Sequence, residues 1–161
     1  MLRIRSILAP YDFSEHADRA LAHAVALAQL HKARLDVLYV VEVRAVPSFD
    51  EEGDLHLYTD EPVTDPAERA LAHLVERYRD VEVTVQAERG SSTRHILTFA
   101  EDHDTDLIVM ATHGHTGLRR VLMGSVARAV VDSVSCPVLL LKAFGKTLLP
   151  DAAAETGGEK A

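Results

Sequence analysis

Asp106-Leu107-Ile108-Val109-Met110 holds four apolar residues in a row with no polar alternation. That pattern suits a strand covered on both faces, as strands in the middle of a parallel sheet are. The chain continues Ala111-Thr112-His113-Gly114, and nine residues separate Gly114 from Gly124-Ser125. At Gly124 a helical period begins and runs to Val134. A buried strand, a glycine-containing loop and a helix start make one half of a parallel βα unit.

The same alternation extends outward in both directions. Ile4 to Pro10 reads as the first strand. Ser14 to His31 follows as a helix whose apolar face is Ala17, Leu21, Ala24, Val25 and Ala28, with Asp12 or Ser14 as its cap. Leu35 to Val41 is a second strand. Glu42 to Thr64 carries Gly53, Pro47, Pro62 and several acids without a clear period, and is expected to be a long surface loop. Pro66 to Tyr78 is a second helix, with Pro66 in its first turn. Val81 to Gln86 alternates strictly and predicts a strand with one wet face. Ser92 to His103 is the third helix, and Pro137 to Leu141 the fifth strand. The chain from Phe144 turns polar and acidic after Leu149, so residues 146–161 are expected to be a disordered tail behind a single domain spanning residues 1–145.

Five strands alternating with four helices predict an α/β fold, an open five-stranded parallel sheet with helices on both faces (Rossmann-like). The alternating third strand belongs at an edge and the apolar fourth at the centre. The order 3-2-1-4-5 satisfies both. It puts the topological switch point between strands 1 and 4, where open α/β sheets bind ligands beyond the carboxyl ends of their strands. Pro10-Tyr11-Asp12 and the loop after Met110 meet there.

Composition narrows the function. The 161 residues suffice for one domain, and 47% are hydrophobic with no Trp, so the core is aliphatic. The net charge of -8 argues against nucleic acid or an anionic membrane as the main partner. A small anion remains compatible, because backbone N–H groups can hold it. No apolar run approaches a membrane helix. Met1-Leu2-Arg3-Ile4-Arg5 runs into the first strand without the apolar stretch of a signal peptide, and a cytoplasmic location is expected. The one cysteine, Cys136, allows no intrachain disulfide and reads as a small, buried apolar residue.

Chemistry gathers in the loop from Ala111 to Ser125. Gly124 permits close backbone approach, Ser125 offers a hydroxyl and an N–H, and the helix end supplies unpaired donors and partial positive charge for a phosphate. Arg119, Arg120 and Arg128 lie nearby in sequence. A glycine there also serves a plain turn, and common nucleotide fingerprints are absent: no Walker A, no G-x-G-x-x-G, no pyrophosphatase loop. Asp12 can accept from sugar hydroxyls or cap the first helix. His113 and His115 form an H-x-H pair without a third ligand, so no metal site is assigned. No triad or paired carboxylate appears, no catalytic residue is assigned, and any ATP hydrolysis would be slow.

Ile7-Leu8-Ala9-Pro10-Tyr11-Asp12-Phe13-Ser14, Ala111-Thr112-His113-Gly114 with nine residues before Gly124-Ser125, and Cys136-Pro137-Val138-Leu139-Leu140 together resemble the universal stress protein family, over about residues 3–143. The resemblance implies the five-stranded sheet and its ATP-binding subgroup, whose loop reads Gly, two residues, Gly, nine residues, then Gly with Ser or Thr. Gly114, Gly124 and Ser125 match that loop. Ala111 stands where its first glycine would. The resemblance further implies that Pro10, Tyr11 and Asp12 surround adenine and ribose, that Val40 lines the adenine pocket, and that Met110 and Ala111 border base and sugar. His113, Gly114, Gly124, Ser125 and Val126 would contact phosphates or ribose. The implied ligand is ATP, or ADP or AMP, with or without Mg2+, in a nucleotide-responsive regulator of stress adaptation. A homodimer through strand 5, Pro137 to Lys142, is implied as well. Independently, an edge strand apolar on both faces invites pairing. Two other readings of the residues stay open: an interaction module of this fold that binds no nucleotide, and an enzyme activating its substrate through AMP.

Overall fold

In the computed structural model, residues 3–42, 45–49, 55–59, 65–114, 123–142 and 146–149 are described. The elements run β1 (Ser6–Tyr11), α1 (Glu15–His31), β2 (Arg34–Glu42), β3 (Ala45–Phe49), β4 (Leu55–Thr59), α2 (Asp65–Arg77), β5 (Val83–Gly90), α3 (Ser92–Asp102), β6 (Leu107–Ala111), α4 (Ser125–Ser133) and β7 (Val138–Leu141). The main sheet has five strands in the order β5-β2-β1-β6-β7, and all four pairings are parallel. This is the expected 3-2-1-4-5 order, with the two extra strands set aside.

Those extra strands correct the expectation of an unstructured loop from Glu42 to Thr64. β3 and β4 pair antiparallel, from Ala45 with Thr59 to Phe49 with Leu55, as a separate two-stranded sheet. Pro47 hides the first of these strands from a reading by composition. In a two-stranded ribbon each strand keeps an open edge, where a missing N–H removes no ladder bond.

Strand alternation divides the core in two. Ile7 and Ala9 of β1, Leu35 and Val37 of β2 and Val109 of β6 face α1 and α2. Leu8, Leu38, Ile108 and Met110 face the opposite way, against Ile96, Phe99 and Ala100 of α3 and Ala127 and Val130 of α4. Helices thus cover both faces, and continuous apolar runs are what such strands require. β5 shows the predicted one-sided pattern: Val83, Val85 and Ala87 pack on the α1–α2 side, while Thr84, Gln86 and Glu88 are exposed. Cys136 is half-buried just before β7, packed against the α3–α4 cluster, and burial pushes its thiol up. No helix among the described residues is long and apolar enough to cross a membrane.

Candidate functional site

The switch point lies between β1 and β6. Their registered pairing covers Ile7 with Leu107 and Leu8 with Ile108. Beyond those positions β1 stays on β2 as far as Tyr11–Tyr39, and β6 stays on β7 as far as Ala111–Leu141. The carboxyl halves of the two central strands therefore hold their outer partners and part from one another. The loops that leave them meet beyond that point, where Gly114 stands against Asp12.

The loop after β1 is built around Asp12. Its Oδ1 accepts the main-chain N–H of Ser14 at 3.0 Å and the Ser14 hydroxyl as well. Ser14, in turn, caps α1 by accepting the Ala17 N–H at 3.1 Å. Of the two candidate caps the serine does the capping, and the aspartate holds the serine. Between them Phe13 adopts φ 62°, in the left-handed region that bulky residues avoid. Its ring meets Tyr11 and Tyr39 edge-on, with centroids 5.0 and 4.9 Å apart. Such contacts hold the chain in a conformation it would otherwise leave.

The loop after β6 approaches from the other side. A Cβ built on Gly114 would overlap the Asp12 carboxylate at Oδ2. The constraint at Gly114 is one of contact and not of backbone conformation, because its φ is not positive and any side chain there must displace the Asp12 carboxylate. Gly124 donates its N–H to the Thr112 carbonyl at 2.7 Å, and a Cβ on it would lie 3.2 Å from that same oxygen. This pins the start of α4 beside the end of β6. Gly124 caps α4 without a side chain to accept the first-turn donors. Those N–H groups and the positive end of the helix dipole remain for an anion.

The remaining predicted residues fall at this end of the sheet. Pro10 and Tyr11 end β1, Met110 and Ala111 end β6, and Val40 lies late in β2. Val40, Met110 and Val126 belong to the α3–α4 side of the core. The His113 ring lies against Thr112, with Nδ1 3.0 Å from Oγ1. Ser125 is exposed in the first turn of α4. Tyr11 differs from its neighbours. Its ring is buried on the α1 side and its hydroxyl hydrogen-bonds Asp18. Burial and the Asp18 carboxylate both raise the phenol. The side chain is thus committed to the core. Ala111 packs its methyl on the same α1 side and shows no positive φ. His115, Arg119 and Arg120 lie outside the described residues, and Arg128 is exposed on α4. The aromatic contact of Phe13 and the Ser14–Asp12 pair were not readable in advance, although a serine two residues after an aspartate is a common local turn signal.

A doubly covered parallel sheet whose central strands part at the switch point, with two loops meeting there, defines a Rossmann-like α/β protein with a candidate ligand site. The match to the universal stress protein family model runs over residues 3–142, and the chain belongs to that family. It is 34% identical over 140 residues to a universal stress protein of Methanocaldococcus jannaschii, covering 86% of this chain and 82% of the relative. Among solved structures it is similar to the universal stress protein UspA from Lactobacillus plantarum, with a TM-score of 0.71, 27% identity, and coverage of 88% and 99% of the two chains. Two more distant likenesses show the fold alone. One is a universal stress protein in complex with cAMP, with a TM-score of 0.66, 17% identity and 88% and 98% coverage. The other is from Archaeoglobus fulgidus in complex with dAMP, with a TM-score of 0.58, 20% identity and 86% and 98% coverage.

Proposed function

We propose that this universal stress protein binds an adenine nucleotide (ATP, ADP or AMP, with or without Mg2+) in the crevice between β1 and β6, and works as a dimeric, nucleotide-responsive regulator. The observation that carries this reading is the parting of β1 from β6 after Leu8 and Ile108, with Asp12 and Gly114 in contact at its mouth. Asp12 would accept from a sugar hydroxyl or the adenine amine. Pro10 and the main chain of Tyr11 would border the base together with Val40 and Met110. Ala111, His113, Gly114, Gly124, Ser125 and Val126 would border sugar and phosphates, with the uncapped first turn of α4 as the anion seat. The complexes of related proteins with cAMP and dAMP support an adenine nucleotide as the ligand class.

Ala111 would favour the second reading, an interaction module without nucleotide, if glycine were needed there for a strained backbone. Its strand conformation and core-facing methyl weigh the other way. Mass spectrometry of the small molecules released on denaturing the purified protein, followed by ATP calorimetry, tests the proposal. Copurifying adenine nucleotide, or saturable binding that a bulky residue at Gly124 abolishes, is the expected result. No binding at millimolar ATP with magnesium overturns it.

A further inference from the structure

His23 takes no part in the candidate site, yet it is only 2% exposed. It sits in the middle of α1, where every other buried position is alanine, leucine or valine. A buried imidazole must find partners for its ring nitrogens or bear the cost of desolvation. Nδ1 lies 2.7 Å from the Arg19 carbonyl oxygen, one turn back. A carbonyl only accepts, so Nδ1 carries the proton, and in the neutral ring Nε2 is the acceptor. Nε2 receives the main-chain N–H of Leu148 at 3.1 Å and lies 3.2 Å from the Thr147 hydroxyl. That hydroxyl accepts the N–H of Leu149 at 3.1 Å, so its own proton is available to Nε2.

These partners lie 124 and 125 residues further along the chain, beyond the last strand. His23 thus holds a segment that lies beyond the sheet. Leu148 is 79% exposed and Leu149 is half-buried, so Leu148 itself contributes no apolar anchor. We propose that residues 146–149 form a strap that neutral, Nδ1-protonated His23 fastens to α1, and that this bond makes those residues a closable element of the domain. Closed, Thr147 and Leu148 lie against α1, on the face of the sheet away from α3 and α4. Open, the strap returns the His23 ring to water and frees residues 146–149. Fastening depends on one acceptor nitrogen, which makes the closed state specific for one tautomer of one histidine.

Hydrogen exchange on the full chain at neutral pH, read at the Leu148 and Leu149 amides, tests the strap. Both should exchange about tenfold or more slowly than an unstructured chain. His23→Leu removes the acceptor, and Leu148→Pro removes the donor at an exposed position without touching the core. Each should return the Leu149 amide to the unstructured rate and speed tryptic cleavage after Lys146, a residue already exposed but held by the strap. His23→Gln, which can offer an oxygen near the place of Nε2, should retain part of the protection. Nitrogen-detected NMR should find His23 protonated at Nδ1. Unprotected amides in the wild-type protein, unchanged Leu149 protection in Leu148→Pro, or an Nε2-protonated ring would each overturn the proposal.

Discussion

Asp12 and Gly114 occupy adjoining space across the switch point: the Asp12 carboxylate stands where a side chain on residue 114 would begin. The two residues leave neighbouring strands, and Ser14 fixes Asp12 through two hydrogen bonds. The carboxylate cannot swing aside without loosening its hydrogen bonds to Ser14, the residue that caps α1. Gly114→Ala should therefore cost about 1–3 kcal/mol by overpacking and should abolish nucleotide binding. In an Asp12→Ala background, where the space is free, the same substitution should cost less. The coupling energy should be about 0.5–3 kcal/mol. Urea denaturation of the four proteins gives the cycle, and additive costs would refute the contact.

Ala111 continues β6 in ordinary strand conformation with its methyl in the α1-side core. Restoring glycine relieves no strain there. Ala111→Gly should lower stability by about 0.5–1 kcal/mol through added backbone freedom and should leave ATP affinity essentially unchanged. Calorimetry decides this, and markedly tighter binding by the glycine variant would show that the methyl obstructs the ligand.

Tyr11 links alkaline stability to the base of the site. Burial, reinforced by the hydrogen bond to Asp18, raises its pKa in the folded protein. The native state therefore holds the phenolic proton more tightly than the unfolded state does. Stability from this group is complete below the ordinary tyrosine range near pH ~10 and falls as pH rises above it. Tyr11→Phe should lose about 1 kcal/mol at neutral pH for the missing hydrogen bond and should flatten the decline above that range. Denaturant midpoints between neutral and alkaline pH measure both effects. An equally steep decline in the variant would assign it to other groups.

The exposed edge of β7 has a readable polarity. The Pro137 and Leu141 carbonyls accept from Ile108 and Thr112 of β6, so odd-numbered residues face β6 and the backbone groups of Val138 and Leu140 face outward. If a second copy pairs along this edge, Leu140→Pro should give a monomer by analytical ultracentrifugation, because it removes an outward N–H and leaves the β6 ladder intact. Leu140→Ala keeps that N–H and should remain a dimer. A dimeric Leu140→Pro protein would move the interface elsewhere.

The sequence by itself determined the class of fold and the strand order, and it singled out the end of the sheet on which the proposed site rests. These follow from local signals: the unbroken run from Leu107 to Met110, the strict alternation from Val81 to Gln86, and glycines where a strand gives way to a helix. Each reflects how many faces of an element are covered, a property a single segment carries with it. Only the tertiary structure decided that Ser14 and not Asp12 caps α1, that Tyr11 turns into the core, that Gly114 is a contact glycine, and that β3 and β4 pair. Those outcomes depend on what lies opposite a residue. Thr147 and Leu148 lie opposite His23 from the far end of the chain. Periodicity records whether a position is buried and is silent about its partner, and partners more than a hundred residues apart are set by the packing of the whole domain.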